Sequence, residues 1–124
     1  MASNLFKVVI TPAVYDEMES IYSFYLDVSA DEEIASKVVG SIWGAIQKLN
    51  YMPNRHSFFN DSILKEKKVR KLVVGNFIIP FTINENRNTV FVHHVYHSKM
   101  DYEKYLESVF ARRRDDDAAI SNGL

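Results

Sequence analysis

The stretch that decides the fold runs from Val69 to His97 and reads VRKLVVGNFIIPFTINENRNTVFVHHVYH. It holds three runs rich in β-branched and aromatic residues, separated by Gly75-Asn76 and by a polar turn at residues 84–88. Short apolar runs bounded by Gly and Asn are typical of strands joined by tight turns. We therefore predict a three-stranded antiparallel meander, whose apolar character requires a cover on one face. Its predicted strands are residues 69–74, 77–83 and 89–97.

The first half of the chain is suited to supply that cover. Residues 5–10 indicate a short strand, and Thr11-Pro12 is a typical helix start because Thr can cap a helix and Pro fits the first helical position. A second helix is predicted after the capping-box-like residues 29–32. It should end before Pro53, since the residue before proline disfavours the α conformation. Each helix carries one apolar stripe, which predicts an antiparallel helical hairpin lying across the sheet.

The rest of the chain adds smaller elements. Residues 61–68 predict a short helix, and a final helix starting near Asp101 would use Tyr102, Leu106, Val109 and Phe110 as its inner face. Residues 112–124 swing from three positive to three negative charges and predict a frayed tail. The fold class is therefore α+β, with one domain over residues 1–111.

Pro80 lies inside the run that should form the central strand of the meander. Proline cannot donate a hydrogen bond to a sheet and is found at edges and bulges. Pro80 therefore predicts a local bulge or an unpaired position at this point of the sheet.

Composition narrows the function classes. The chain of 124 residues has no cysteine, which excludes disulfides, thiolate metal sites and a cysteine nucleophile. It has no run long enough to span a membrane and no signal-peptide pattern, so we expect a cytoplasmic protein. Net charge is −1, but residues 1–50 carry −4, residues 51–114 carry +6 and residues 115–124 carry −3. A basic half is compatible with an anionic partner.

Three of the four histidines cluster at the end of the third run. His93 and His94 are adjacent on a strand and should face opposite sides of the sheet. His97 should share the face of His93 if the strand is regular, about 13 Å away, which is too far for one metal ion. We therefore expect no metal and no cofactor.

The order of elements, together with VRKLVVGNFIIPFTI from Val69, VFVHHVYHSKMDY from Val90, the opening KVVITPAV and Pro53, resembles the RelE/ParE superfamily of bacterial toxins. The resemblance covers residues 6–106. It implies the toxin of a type II toxin–antitoxin, or plasmid stabilisation, module that is neutralised by a cognate antitoxin, in a toxin–antitoxin hetero-oligomer. Toxins similar to ParE inhibit DNA gyrase, whereas toxins similar to RelE cut messenger RNA in the ribosome.

The resemblance implies different roles for the same residues in these two mechanisms. In a metal-independent endoribonuclease, Lys71, His97, Lys99 and Tyr102 would be catalytic. Phosphate or target binding would fall to Lys67, Lys68, Arg70 and Lys71. Val73, Ile78 and Ser98 stand where nucleases of this family tend to carry basic residues. We therefore favour a growth inhibitor similar to ParE, with the endoribonuclease and an inactive antitoxin-binding homologue as alternatives; whether the protein is an enzyme stays open.

Overall fold

The computed structural model describes residues 5–99 and 106–110, which form a mixed α+β fold around one sheet. Its class and most of its element order agree with the prediction from sequence. The helices are α1 (Pro12–Ser29), α2 (Glu32–Gln47) and α3 (Ser62–Glu66), and residues 106–110 are also helical. The strands are β1 (Lys7–Ile10), β2 (Arg70–Val74), β3 (Phe77–Asn84), β4 (Thr89–Val92) and β5 (Tyr96–His97).

The helical hairpin begins where the sequence predicts, but with different capping chemistry. Thr11 precedes the first helical residue, yet its hydroxyl donates to the carbonyl of His93 at 2.8 Å and does not cap the helix. At the second helix the cap is Asp31 and not Ser29. The Asp31 carboxylate accepts the backbone N–H of Glu33 at 2.9 Å, which satisfies one of the unpaired donors of the first turn.

The sheet order is β1-β4-β3-β2, with β1 parallel to β4 and the other pairs antiparallel. The meander is confirmed, but the third predicted strand, residues 89–97, is wrong as one continuous strand. It is divided into β4 and β5, both of which pair with β3. The β2–β3 turn uses Gly75 at φ +56°, a conformation that costs glycine little.

The division of the third strand lies opposite Pro80. Phe81 pairs with Val92 on one side of the gap and Ile78 pairs with Tyr96 on the other, so three residues face two. This is a β-bulge, which reverses the alternation of side chains beyond it. The carbonyl of Pro80 accepts the N–H of His93 at 3.0 Å, so the backbone edge of Pro80 that lacks a donor faces the gap. The predicted bulge is confirmed, but the extra residue lies between β4 and β5 and not in β3, which contains Pro80.

The sheet is covered on both faces, whereas the sequence led us to expect a cover on one. The hairpin face is the one packed against α1 and α2; its buried residues include Val14, Met18, Ile42, Ile46, Leu72, Ile79, Phe81 and Val92. The opposite face is packed against α3 and residues 106–110; its buried residues are Phe59, Leu64, Val69, Ile78, Tyr96, Leu106 and Phe110.

The inner positions predicted for the last helix are confirmed for Leu106, Val109 and Phe110, which all pack on the opposite face. Tyr102 and the predicted tail at residues 112–124 lie outside the described residues. Among the described residues, no helix combines the length and apolar character needed to cross a membrane.

Candidate functional site

An open groove of about 570 Å³ runs between α1 and the end of the sheet where β5 pairs with β3. We call it the α1 groove. One wall is made by nearly three turns of α1, from Asp16 to Tyr25, and the other wall is made by the end of the sheet at β5. The side chains that define it are Ile21, Phe24, Tyr25, Phe77, Val95 and His97, with Asp16 and Glu17 at one end.

The bulge is fastened to α1 by one carboxylate. Oε1 of Glu17 accepts the backbone N–H of Val95 at 2.8 Å, and Oε2 accepts Nδ1–H of His94 at 2.9 Å. The His94 ring is in turn stacked on Tyr96, with ring centroids 5.0 Å apart. A bulge residue cannot use the regular strand ladder, so Glu17 takes the place of a neighbouring strand as its acceptor.

The bulge separates the histidines in a way that the sequence did not predict. His93 lies on the opposite face, where Nε2 shares a 2.8 Å hydrogen bond with Oγ1 of Thr82 and the ring contacts Phe110. His94 faces α1, on the other side of the sheet from His93, as expected for adjacent residues of a strand. His97, however, pairs with Phe77 and packs against its ring on the hairpin face, with centroids 5.5 Å apart. The expectation that His97 shares the face of His93 required a regular strand and is wrong.

His97 and Lys99 are the two predicted catalytic residues that the structure brings together. Nδ1 of His97 accepts the backbone N–H of Lys99 at 3.2 Å, which orients the imidazole at the mouth of the α1 groove. The side chain of Lys99 is exposed just beyond it. A third predicted member, Tyr102, lies outside the described residues.

Lys71 lies on the other side of the sheet from His97. It pairs with Pro80, and its Nζ lies 5.8 Å from the centre of the Phe59 ring, which belongs to the opposite face. Directly paired residues and residues two apart on a strand share a face. Pro80 therefore places Lys71 with Ile78 on the opposite face, whereas Phe77 places His97 on the hairpin face.

The predicted phosphate-binding residues divide into three lysines, of which Lys68 is exposed and Lys67 and Lys71 are half-buried, and one structural arginine. Lys67 and Lys68 follow α3 directly, and Lys68 has φ +58°. Arg70 is directed to the loop before α3: its Nη1 donates to the carbonyls of Asn54 at 3.0 Å and His56 at 2.6 Å. Its guanidinium also lies 4.1 Å above the ring of Phe58. Arg70 and Lys71 are adjacent on β2 and therefore point to opposite faces of the sheet. We call Lys67, Lys68 and Lys71 the basic edge.

The loop held by Arg70 contains His56, a histidine with a lowered pKa. Burial lowers the pKa of His56, and the charges of Arg55 and Arg70 lower it further. Its ring packs edge-on against Phe81, with centroids 5.8 Å apart. His56 is therefore neutral at physiological pH and acts as part of the packing around the central strand.

No group of three or more potential metal ligands occurs within residues 5–99 and 106–110. This agrees with the separation of the histidines described above, because His93 and His97 lie on different faces of the sheet.

No protein-family model matches the sequence, and none of the curated proteins matches it either. The fold, in contrast, matches solved structures. A chain of the chromosomal ParDE toxin–antitoxin system from P. aeruginosa superposes with a TM-score of 0.63 at 19% identity, over 76% of this chain and 97% of that one. The chain has the RelE/ParE fold. A chain of the RelBE2 toxin–antitoxin complex from Mycobacterium tuberculosis also matches, with a TM-score of 0.52 at 15% identity, over 75% and 91% of the two chains.

On this RelE/ParE fold, the α1 groove is the feature that reading the sequence missed. Its signal was present at Phe24, which lies outside the stripe of Val14, Met18, Ile21 and Tyr25 that packs on the sheet. An aromatic residue off the buried stripe of an amphipathic helix indicates exposed apolar surface. Phe24 is 59% exposed, as that argument requires.

Proposed function

We propose that this protein is the toxin of a type II toxin–antitoxin module and that it arrests growth by binding a macromolecular target without cutting RNA. DNA gyrase is the precedent from the ParE branch of the family that the sequence resembles. The observation that carries the proposal is the division of the candidate nuclease residues between the two faces of the sheet. An antitoxin partner and a cytoplasmic site of action belong to the same proposal.

Metal-independent RNA cleavage needs a base, an acid and cations converging on one phosphate. Lys71 and His97 pair with β3 residues three positions apart and on different sides of that strand. Strand geometry then separates their Cα atoms by roughly 14 Å. Their side chains also leave the sheet in opposite directions, so one phosphate cannot contact both. Inhibition by binding makes no such demand on these residues.

The basic edge is the part of the described surface that suits an anionic target. Lys71 shares a face of the sheet with the exposed Val73, and Lys67 and Lys68 precede the same strand in the chain. A cationic rim beside exposed apolar surface is a common arrangement at macromolecular interfaces. Arg70 has a supporting role in this proposal, since its guanidinium holds the loop at residues 54–58.

The test is inducible expression in a bacterial host, combined with a supercoiling assay on purified gyrase. We expect growth arrest, filamentation, DNA-damage signalling and intact transcripts, together with inhibition of supercoiling. Replacing Lys67 and Lys68 together by Ala should weaken the arrest. Replacing Lys37 and Lys48, which are exposed lysines of the hairpin segment, by Ala is the matched control and should leave it unchanged. Normal supercoiling at large toxin excess would reject gyrase as the target.

A ribosome-dependent endoribonuclease is the second candidate, favoured by the hydrogen bond that joins His97 to Lys99 at the groove mouth. Primer extension on abundant transcripts distinguishes it, since new 5′ ends confined to translated messages are expected only from this activity. Alanine at both His97 and Lys99 should then abolish the ends. Unimpaired growth with tight antitoxin binding would instead identify an inactive homologue.

A further inference from the structure

The α1 groove has the shape and chemistry of a docking site that neither candidate mechanism uses. We propose that it binds a cationic, apolar segment of a partner protein, with an apolar side chain in the groove and an Arg or Lys against Asp16. The inference rests on the proposed function in one respect, which is that the partner is then the antitoxin.

The size and lining of the groove fit a side-chain anchor. Its volume of about 570 Å³ falls within the range of about 300–1,000 Å³ that is usual for binding pockets. Phe24 and Val28 continue its apolar surface along α1, and they are 59% and 69% exposed. Large apolar side chains that are adjacent and exposed typically mark an interaction surface. A partner segment lying along α1 would cover both.

The charge at the end of the groove selects the chemistry of the occupant. Asp16 borders both the α1 groove and a shallow depression beside it that also contains Glu19. Both carboxylates are exposed, and no described residue forms an ion pair with either one. Glu17 is different, because both of its oxygens already accept hydrogen bonds from the bulge. Asp16 and Glu19 are therefore the groups available to a cation.

Aromatic rings next to these carboxylates add to the preference for a cation. Phe24, Tyr25 and His97 line the groove, and Phe24 exposes much of its ring. An Arg or Lys held near a carboxylate can also lie over an aromatic face, and this contact strengthens as water is excluded. An acidic segment would instead be repelled by Asp16 and Glu19.

The two walls of the groove are also preorganised, since hydrogen bonds hold them in place before any partner binds. The carboxylate of Glu17 joins α1 to Val95 and His94, so the two walls are held at a fixed separation. A surface that is already ordered loses little conformational entropy on binding. The partner should consequently carry two kinds of segment: a cationic one for the α1 groove and an acidic one for the basic edge.

The binding test uses two synthetic peptides that share leucines at helical spacing and differ only in their flanking charges, arginine in one and glutamate in the other. Both peptides are titrated into the Lys67→Ala/Lys68→Ala variant, which weakens binding of the glutamate peptide to the basic edge. Fluorescence anisotropy should then give at least tenfold tighter binding for the arginine peptide. The chain has a net charge of only −1, so a preference of this size reports local charge. Amide NMR shifts on titration should be concentrated at Ser20, Phe24 and Tyr25.

Variants at the groove sharpen this test. Phe24→Ser should weaken binding about tenfold, as expected for an exposed aromatic anchor. Ile34→Ser is its control, because Ile34 is 44% exposed but lies on α2 and does not line the groove. Asp16→Lys should reverse the preference in favour of the glutamate peptide. Asp27→Asn, an exposed carboxylate of the same helix outside the groove, should leave it unchanged.

Equal affinity for the two peptides, NMR shifts confined to the Val73 side, or self-association of the protein that Phe24→Ser abolishes would each overturn the proposal. A second experiment uses the protein that rescues growth when a genomic library is co-expressed with this chain.

If that protein still rescues growth and binds the Phe24→Ser and Asp16→Lys variants with unchanged affinity, the proposal that the groove is its binding site is rejected. The proposal that the chain is a toxin is then retained. Normal growth of cells expressing the chain rejects the toxin, while the peptide result still decides the groove.

Discussion

The two faces of the sheet are covered by elements of very different length. The hairpin face is packed against α1 and α2, which are 18 and 16 residues long. The opposite face is packed against α3, which is five residues long, and against residues 106–110. A helix as short as α3 is not stable alone in water. The structure of α3 therefore depends on its packing against the sheet, whereas α1 and α2 form a long helical hairpin.

The largest expected effect tests the hairpin face. Phe81→Ala removes a fully buried ring from the central strand and should lower the free energy of unfolding by about 3–5 kcal/mol. Chemical denaturation with an unchanged m-value measures it. Val73→Ala, at an exposed site on the neighbouring strand, should change stability by less than about 0.5 kcal/mol. Equal losses at the two sites would contradict the assignment of the core.

The second prediction concerns the truncation of a buried side chain on the opposite face. Leu106→Ala empties a fully buried site, and leucine truncations in cores cost about 2–5 kcal/mol. We expect about 2 kcal/mol here, because residues 106–110 can relax around the cavity. Hydrogen exchange should accelerate around residues 106–110 and stay slow in β3. Uniform acceleration across the whole sheet would mean that the two faces unfold as one unit.

A third prediction addresses the connection between the faces at the bulge. Glu17→Ala removes the acceptor of both Val95 N–H and His94 Nδ1–H, which should cost about 1–2 kcal/mol since the carboxylate is partly exposed. Glu19→Ala is the matched control on the same helix and should be nearly neutral. If Glu17 acts as described, the amide resonances of residues 94–97 shift strongly in the first variant alone.

The smallest effect is a pH dependence at His56. Because the folded-state pKa is lowered, the unfolded chain binds this proton more readily than the folded one. The stability that comes from neutral His56 is complete above the unfolded pKa of about 6.5. It is lost progressively as the pH falls from there through the lowered folded value. His56→Gln should flatten the stability profile in that window, and an NMR titration midpoint at or above 6.5 would contradict the burial argument.

The sequence predicts those parts of the fold that depend on local patterns. Apolar spacing and Pro53 place the helical hairpin, and Gly75 places the first turn of the meander. The parallel pairing of β1 with β4 was not predictable in this way, because it joins residues about 80 positions apart. The break in the third strand was also not predicted from its own residues, since residues 92–97 contain no Gly, Pro, Asn or Asp. Only Pro80, on the neighbouring strand, indicated it.

The candidate site was less predictable than the fold, for the same reason. Lys71 and His97 were chosen from their positions on two predicted strands, and which face each one occupies depends on the register between those strands. The bulge changes that register by one residue. Arg70 was chosen for its charge, whereas its role is decided by carbonyls of a loop 14 and 16 residues earlier.

The number of residues between Val92 and Tyr96 determines the face of the sheet to which each later side chain of the strand points. With three residues in that gap, His97 points to the hairpin face. With two, it would point to the opposite face, where Lys71 lies. Removing a single residue would therefore exchange the neighbours of every later side chain of the strand without altering any of their identities. For a chain of this fold, the count of residues across one short gap decides which chemical groups can meet, and an alignment that ignores that count would misassign them.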